Sequence, residues 1–121
     1  MKAIIFFSQR ISSFGFALAG IRNFFLKEAN AWLHLAATLA VLIISLHYRV
    51  SAAEAIALTI VIGLVWISEA FNTVVERTMD LISPQKDPRV AFIKDLSAGA
   101  VLLAALTALV TGCIIFIPKI I

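Results

Sequence analysis

Cysteine occurs once in these 121 residues, tyrosine once, proline three times and glycine five times. A single thiol, Cys113, closes no disulfide within the chain and builds no multi-cysteine metal centre. Lying in an apolar run, it reads as a small buried hydrophobe. Charge is equally scarce. Charged residues make up 14% of the chain and hydrophobic residues 62%, where a soluble domain has about 25% and 45–50%. That balance excludes an ordinary water-soluble domain and indicates an integral membrane protein. Phosphate-binding and catalytic signatures of soluble folds are missing: there is no G-x-x-x-x-G-K-[ST], no kinase glycine-rich loop, no H-x-E and no C-x-x-C. The net charge of +3 does not imply nucleic acid, because the basic residues flank apolar runs instead of forming an aromatic-interleaved patch. Near a bilayer they serve topology and anionic headgroups.

What is present is long apolar stretches with polar ends. Three stand out, Ala31–Leu46, Ala55–Ile67 and about Ala98–Ile117. Only the third approaches the ~20 residues of a full span; the first two reach it when their polar ends are helical too. The chain thus reads as one all-α membrane domain over residues 1–121, with transmembrane helices at about 28–48, 52–82 and 90–118. Residues 1–27 differ. Phe14, Ala17, Leu18, Ile21, Phe24 and Phe25 follow helical spacing beside Arg10 and Arg22, and no small-residue cleavage site follows. This predicts an amphipathic helix on the membrane surface. HYRVS (His47–Ser51) is a turn, and SPQKDPRVAF (Ser83–Phe92) is a second connection, with Pro84 and Pro88 as breakers.

Lys2, Arg10, Arg22, Lys27, Arg77, Lys86, Arg89 and Lys94 fall on one side of this topology, and only Arg49 and Lys119 on the other. The positive-inside rule places the N-terminus and the second connection in the cytoplasm and the C-terminus outside. Every acidic residue except Glu54 falls on the cytoplasmic side.

The polar residues are concentrated in SEAFNTVVERTMD, Ser68–Asp80, immediately after an uncharged stretch from Ala55. At 100° per residue Glu69, Asn72, Glu76 and Asp80 lie near 0°, −60°, −20° and +20°, one face of about 80°. Three carboxylates on one stripe repel unless cations or protons intervene. A divalent metal such as Mg²⁺ is the simple remedy, particularly with phosphate completing the ligand set. Two further segments reach the same level: KEAN, with Lys27, Glu28 and Asn30, and IKDLSAG, with Lys94 and Asp95. Carboxylates for metal, a lysine for phosphate and a base are the parts of phosphoryl transfer. Other readings stand beside this one. Glu76 and Asp80 are also placed to be solvated or paired with Arg77 and Lys94, and intramembrane carboxylates also serve ion or proton pathways. A non-catalytic oligomeric scaffold is a third reading. His34 reads as a structural hydrogen-bonder, and Trp32 and Trp66 as interfacial or packing aromatics.

The pattern ExxNTxxExxxD (Glu69–Asp80) followed by KDLSAGAVLL (Lys94–Leu103) closely resembles the small bacterial diacylglycerol kinase and undecaprenol kinase family. SSFGFALAGI (Ser12–Ile21) and KEANAWLH (Lys27–His34) extend the resemblance to nearly the whole chain, and Asn30 and His34 resemble the undecaprenol kinase branch. The resemblance implies a homotrimer in the bacterial inner membrane, each protomer with three transmembrane helices and a surface helix, and active sites shared between protomers. It implies ATP-dependent phosphorylation of a membrane lipid alcohol, undecaprenol first and diacylglycerol second. Glu69 would be the general base. Glu28 and Glu76 would hold Mg²⁺ and through it ATP. Lys94 and Asp95, with Lys86, Asp87, Phe16 and Arg10, would contact nucleotide. Asn72, Asp80, Ala98, Asn30 and His34 would shape the site. This chain has Ile93 where alanine is usual, Gln9 beside Arg10 where some members have arginine, and Phe16 where some have tyrosine.

Overall fold

The computed structural model describes residues 2–121 and, from Arg10 onward, their side chains. Met1 and the side chains of Lys2 and Gln9, both used in the reading above, lie outside that description. Four helices follow one another: α1 (Lys2–Lys27), α2 (Ala29–His47), α3 (Ala52–Ile82) and α4 (Pro88–Ile120). The last three are long and apolar enough to cross a membrane. At 1.5 Å per residue α3 and α4 are roughly 46 and 50 Å long, more than the ~30 Å of hydrocarbon. Each therefore extends beyond the apolar layer.

Local chemistry sets the helix ends. Ser51 opens α3 with a capping box: its Oγ accepts the Glu54 N–H at 3.3 Å, and Glu54 Oε2 accepts the Ser51 N–H at 2.7 Å. Asp87 opens α4 by accepting the Arg89 N–H at 2.8 Å, and Pro88 occupies the first turn. Pro88 therefore starts a helix where the sequence reading had it as a breaker. Its missing N–H costs nothing at that position, and its fixed φ suits the first turn. The Arg89 side chain, together with its backbone N–H, holds the Asp87 carboxyl below the usual carboxylate range. α2 ends in a Schellman-type cap, with the Val50 N–H on the Ser45 carbonyl at 3.1 Å and the Arg49 N–H on that of Leu46 at 3.4 Å. Arg49 takes the left-handed conformation there, at φ 49°, a position where glycine is usual.

The longest interface joins α3 to α4, and shorter ones join α2 to α3 and α1 to α2. Buried positions on α3 are Leu58, Val61, Val65, Glu69 and Asn72, spaced by 3, 4, 4 and 3. That is one continuous helix face. It is apolar for its first half and polar for its second, so a single inward stripe is first the core and then the candidate site. Ala31 of α2 and Ile115 of α4 complete the buried apolar set among the described residues. The outward faces are Leu, Ile and Phe, exposed throughout, as a chain surrounded by lipid requires. Cys113, expected to be buried, is exposed on α4. Its apolar run is apolar because it faces outward, and periodicity within a uniformly apolar stretch does not reveal which side faces the core.

Candidate active site

The polar half of the α3 stripe grades from dry to wet. Glu69 is 3% exposed and Asn72 8%, Glu76 is intermediate and Asp80 exposed. A carboxylate as buried as that of Glu69 needs a partner. His34 of α2 provides it, with Nε2 at 3.7 Å from Glu69 Oε2. One turn along, the Asn72 side-chain amide donates to Glu76 Oε1 at 3.3 Å. Asn72 Oδ1 is buried with no hydrogen-bond partner.

Glu28 occupies the elbow between α1 and α2. Its backbone is extended, at φ −113° and ψ 114°, and its side chain does not cap α2. The carboxylate is thus free to reach α3, where it accepts from Arg77 Nη2 at 2.8 Å. Above the elbow a groove of about 470 Å³ runs between α1 and α3, lined among others by Gly20, Asn23, Lys27, Glu28, Thr73 and Arg77. At the α3–α4 turn Lys94 Nζ donates to Asp80 Oδ1 at 2.7 Å. A second cavity of about 520 Å³ lies there, and Asp80, Lys86, Asp87 and Lys94 all line it.

The structure therefore brings Glu69 to His34, Asn72 to Glu76, and Asp80 to Lys86, Asp87 and Lys94. Glu28 is paired with Arg77, the residue that follows Glu76 on α3. Asn30, Asp95 and Ala98 are exposed on their helices, and Arg10 and Phe16 are exposed on α1. Two participants escaped the sequence reading. The sequence reading gives Arg77 a part in membrane orientation and in pairing with Glu76 or Asp80, not with Glu28, and does not single out Thr38. Thr38 Oγ1 accepts from Trp66 Nε1 at 3.0 Å and donates to the His34 carbonyl at 2.7 Å. The available signal was spacing: His34 and Thr38 are one turn apart on α2, and Trp66 and Glu69 one turn apart on α3.

Among the described residues no cluster of three or more His, Cys, Asp or Glu side chains is arranged to hold a metal. The donors fit Mg²⁺ all the same. This ion typically takes one or two carboxylates and fills the remaining positions with water and phosphate oxygens. Glu76 with the orphaned Asn72 Oδ1 beside it offers hard oxygens of that kind.

The sequence matches the prokaryotic diacylglycerol kinase family over residues 15–116. It is 36% identical over 107 residues to an undecaprenol kinase of Bacillus subtilis, covering 88% of this chain and 87% of that one. It is 38% identical over 109 residues to a diacylglycerol kinase of Synechocystis, covering 88% of this chain and 61% of the relative. A diacylglycerol kinase of Escherichia coli K12 is 28% identical over 109 residues, with 90% and 89% covered. With a buried carboxylate at the point where an apolar helix face turns polar, and cationic and acidic side chains gathered at the same end, the chain belongs to the prokaryotic diacylglycerol kinase family of ATP-dependent membrane lipid kinases.

Proposed function

We propose that the lipid alcohol phosphorylated by this protein is undecaprenol, with Glu69 as general base, and that diacylglycerol is the lesser substrate. The observation that carries this reading is the position of Glu69. It is 3% exposed and follows fourteen uncharged residues, so its carboxylate sits at the depth where a lipid hydroxyl meets the aqueous phase. Glu69 takes the proton of the lipid hydroxyl as the oxygen attacks the γ-phosphorus of ATP, and ADP departs. No covalent enzyme intermediate is required. Glu28 and Glu76, with Asn72, would hold Mg²⁺, which when bound offsets charge on the phosphates. Lys94 offsets charge on the nucleotide from the α3–α4 turn. Asp95, Lys86, Asp87, Phe16 and Arg10 contribute to nucleotide binding, and Asp80, Ala98, Asn30 and His34 shape the site.

The single protomer leaves Asp95 exposed, which supports sites completed by neighbouring copies in a homotrimer. The charge asymmetry supports a single domain with its N-terminus and active site on the cytoplasmic face of the bacterial inner membrane. An ion-carrier reading is disfavoured because the buried stripe of α3 carries no polar group from Leu58 to Val65. The preference for undecaprenol rests on the lining near Glu69. Ala70 and Phe71 beside it in sequence, and Ala98 on α4, are exposed and carry no side-chain donor for ester carbonyls, and unpaired polar groups are what discriminate strongly. The experiment is phosphorylation by labelled ATP in identical mixed micelles holding either lipid. A higher kcat/KM for undecaprenol is expected. A tenfold or greater preference for diacylglycerol overturns the substrate assignment and leaves the kinase standing.

A further inference from the structure

We propose that His34 is the positioning residue of the Glu69 carboxylate, fixing its direction by hydrogen bonding from Nε2. The inference rests on Glu69 being the base. Glu69 and His34 form one of two rungs between α2 and α3. The first is His34 Nε2 to Glu69 Oε2 at 3.7 Å. The second is the Trp66 indole N–H on Thr38 Oγ1 at 3.0 Å. The rungs are tied together within α2, where Thr38 Oγ1 donates to the His34 carbonyl at 2.7 Å. The edge of the Trp66 ring also meets the imidazole, with centroids 6.2 Å apart. Trp66 is held in turn by Phe24 and Phe25 of α1, at 6.3 and 5.3 Å. The imidazole is thus braced from three helices' worth of packing, and its free nitrogen edge points at the base.

Three other charged groups near the stripe have partners of their own: Arg77 is on Glu28, Lys94 on Asp80, and Glu76 accepts from Asn72. His34 is the group that approaches the Glu69 carboxylate, which is itself cut off from water, with the His34 side chain 18% exposed against 4% for Glu69. A separation of 3.7 Å is longer than a hydrogen bond, and catalytic contacts of this kind commonly tighten only when substrate is bound.

A residue that only aims the base changes turnover and leaves ground-state binding alone. His34→Ala is therefore expected to lose roughly 10- to 100-fold in kcat, the scale of a misaimed reacting group, with KM for ATP and lipid within about twofold. His34→Gln, whose amide N–H reaches toward the same carboxylate, is expected to recover most of that loss. A second measurement needs no turnover: the ¹⁵N resonances of the His34 ring in detergent-solubilised protein. They are expected to move in Glu69→Gln and to stay in place in Glu28→Gln. A His34→Ala kcat within twofold of the parent overturns the proposal, and so do His34 nitrogen resonances that ignore Glu69→Gln. Absence of lipid phosphorylation by the parent protein would instead sink the assignment of Glu69 as base, and the nitrogen spectra distinguish the two failures.

Discussion

Arg77 holds the carboxylate that Mg²⁺ is proposed to need, so Arg77→Ala should make the protein bind the metal more tightly. The geometry allows the size to be worked out. Arg77 Nη2 lies 2.8 Å from Glu28 Oε1, with the two side chains 61% and 21% exposed. An ion pair this open to solvent is favoured over its separated form by a factor of only roughly 1.5 to 5. Glu28 must leave the pair before it can serve a metal, so the apparent dissociation constant is raised by one plus that factor, about 2.5- to 6-fold. Removing the guanidinium should lower the half-saturating cation concentration by the same amount. The assay is a Mn²⁺ titration followed by electron paramagnetic resonance, with and without a non-hydrolysable ATP analogue, since Arg77 released from Glu28 is free to meet phosphate. In the nucleotide-free titration only the competition term operates. Arg77→Lys, a cation without the planar fork, should fall between the two. An unchanged half-saturation in Arg77→Ala would refute the idea that the pair occludes a metal ligand.

Glu69→Gln is nearly isosteric and removes the base, so turnover should fall by about 10²–10⁴ while the protein remains folded; kcat above half the parent value at saturating substrates excludes Glu69 as base. Glu28→Gln and Glu76→Gln should each raise the Mg²⁺ concentration for half-maximal lipid phosphorylation, and a titration unchanged in both removes them from the metal site. Arg49→Gly relieves the left-handed backbone at the α2 cap, while Arg49→Val aggravates it. Thermal unfolding in detergent should therefore place the glycine variant at or above the parent and the valine variant below it.

The parts of this molecule governed by local rules were legible in the sequence. The four helices, three of them long and apolar, follow from run length and composition. The shared face of Glu69, Asn72, Glu76 and Asp80 follows from helical periodicity, which needs no knowledge of neighbours. Even the start of α4 was available, since aspartate followed by proline is a helix-opening pair. Contacts between helices were not legible. Arg77 meets Glu28 across 49 positions and Trp66 meets Thr38 across 28, and each depends on how far one helix is shifted and rotated against another. Uniformly apolar helices carry little information about that register, as the outward-facing Cys113 illustrates. The change of segment near Glu28 was read from composition, but the form of the elbow there was hidden for a related reason. KEAN carries no glycine or proline, so nothing local announces that a single extended residue separates α1 from α2.

The α3–α4 hairpin is pinned at both ends. Lys94 bonds Asp80 beside the turn, and Lys119 bonds Glu54 at 3.0 Å at the far end. Along α3 the two pins are about 39 Å apart. Sliding one helix past the other would break both pairs together and would also undo the longest helix–helix interface of the chain. Pairs this open to solvent add little strength each, so packing supplies the stiffness of the hairpin and the two pins mark its register. α1 and α2 are joined through the one extended residue at Glu28 and meet their neighbours through shorter interfaces. The last two helices are therefore the firmer half of the protomer.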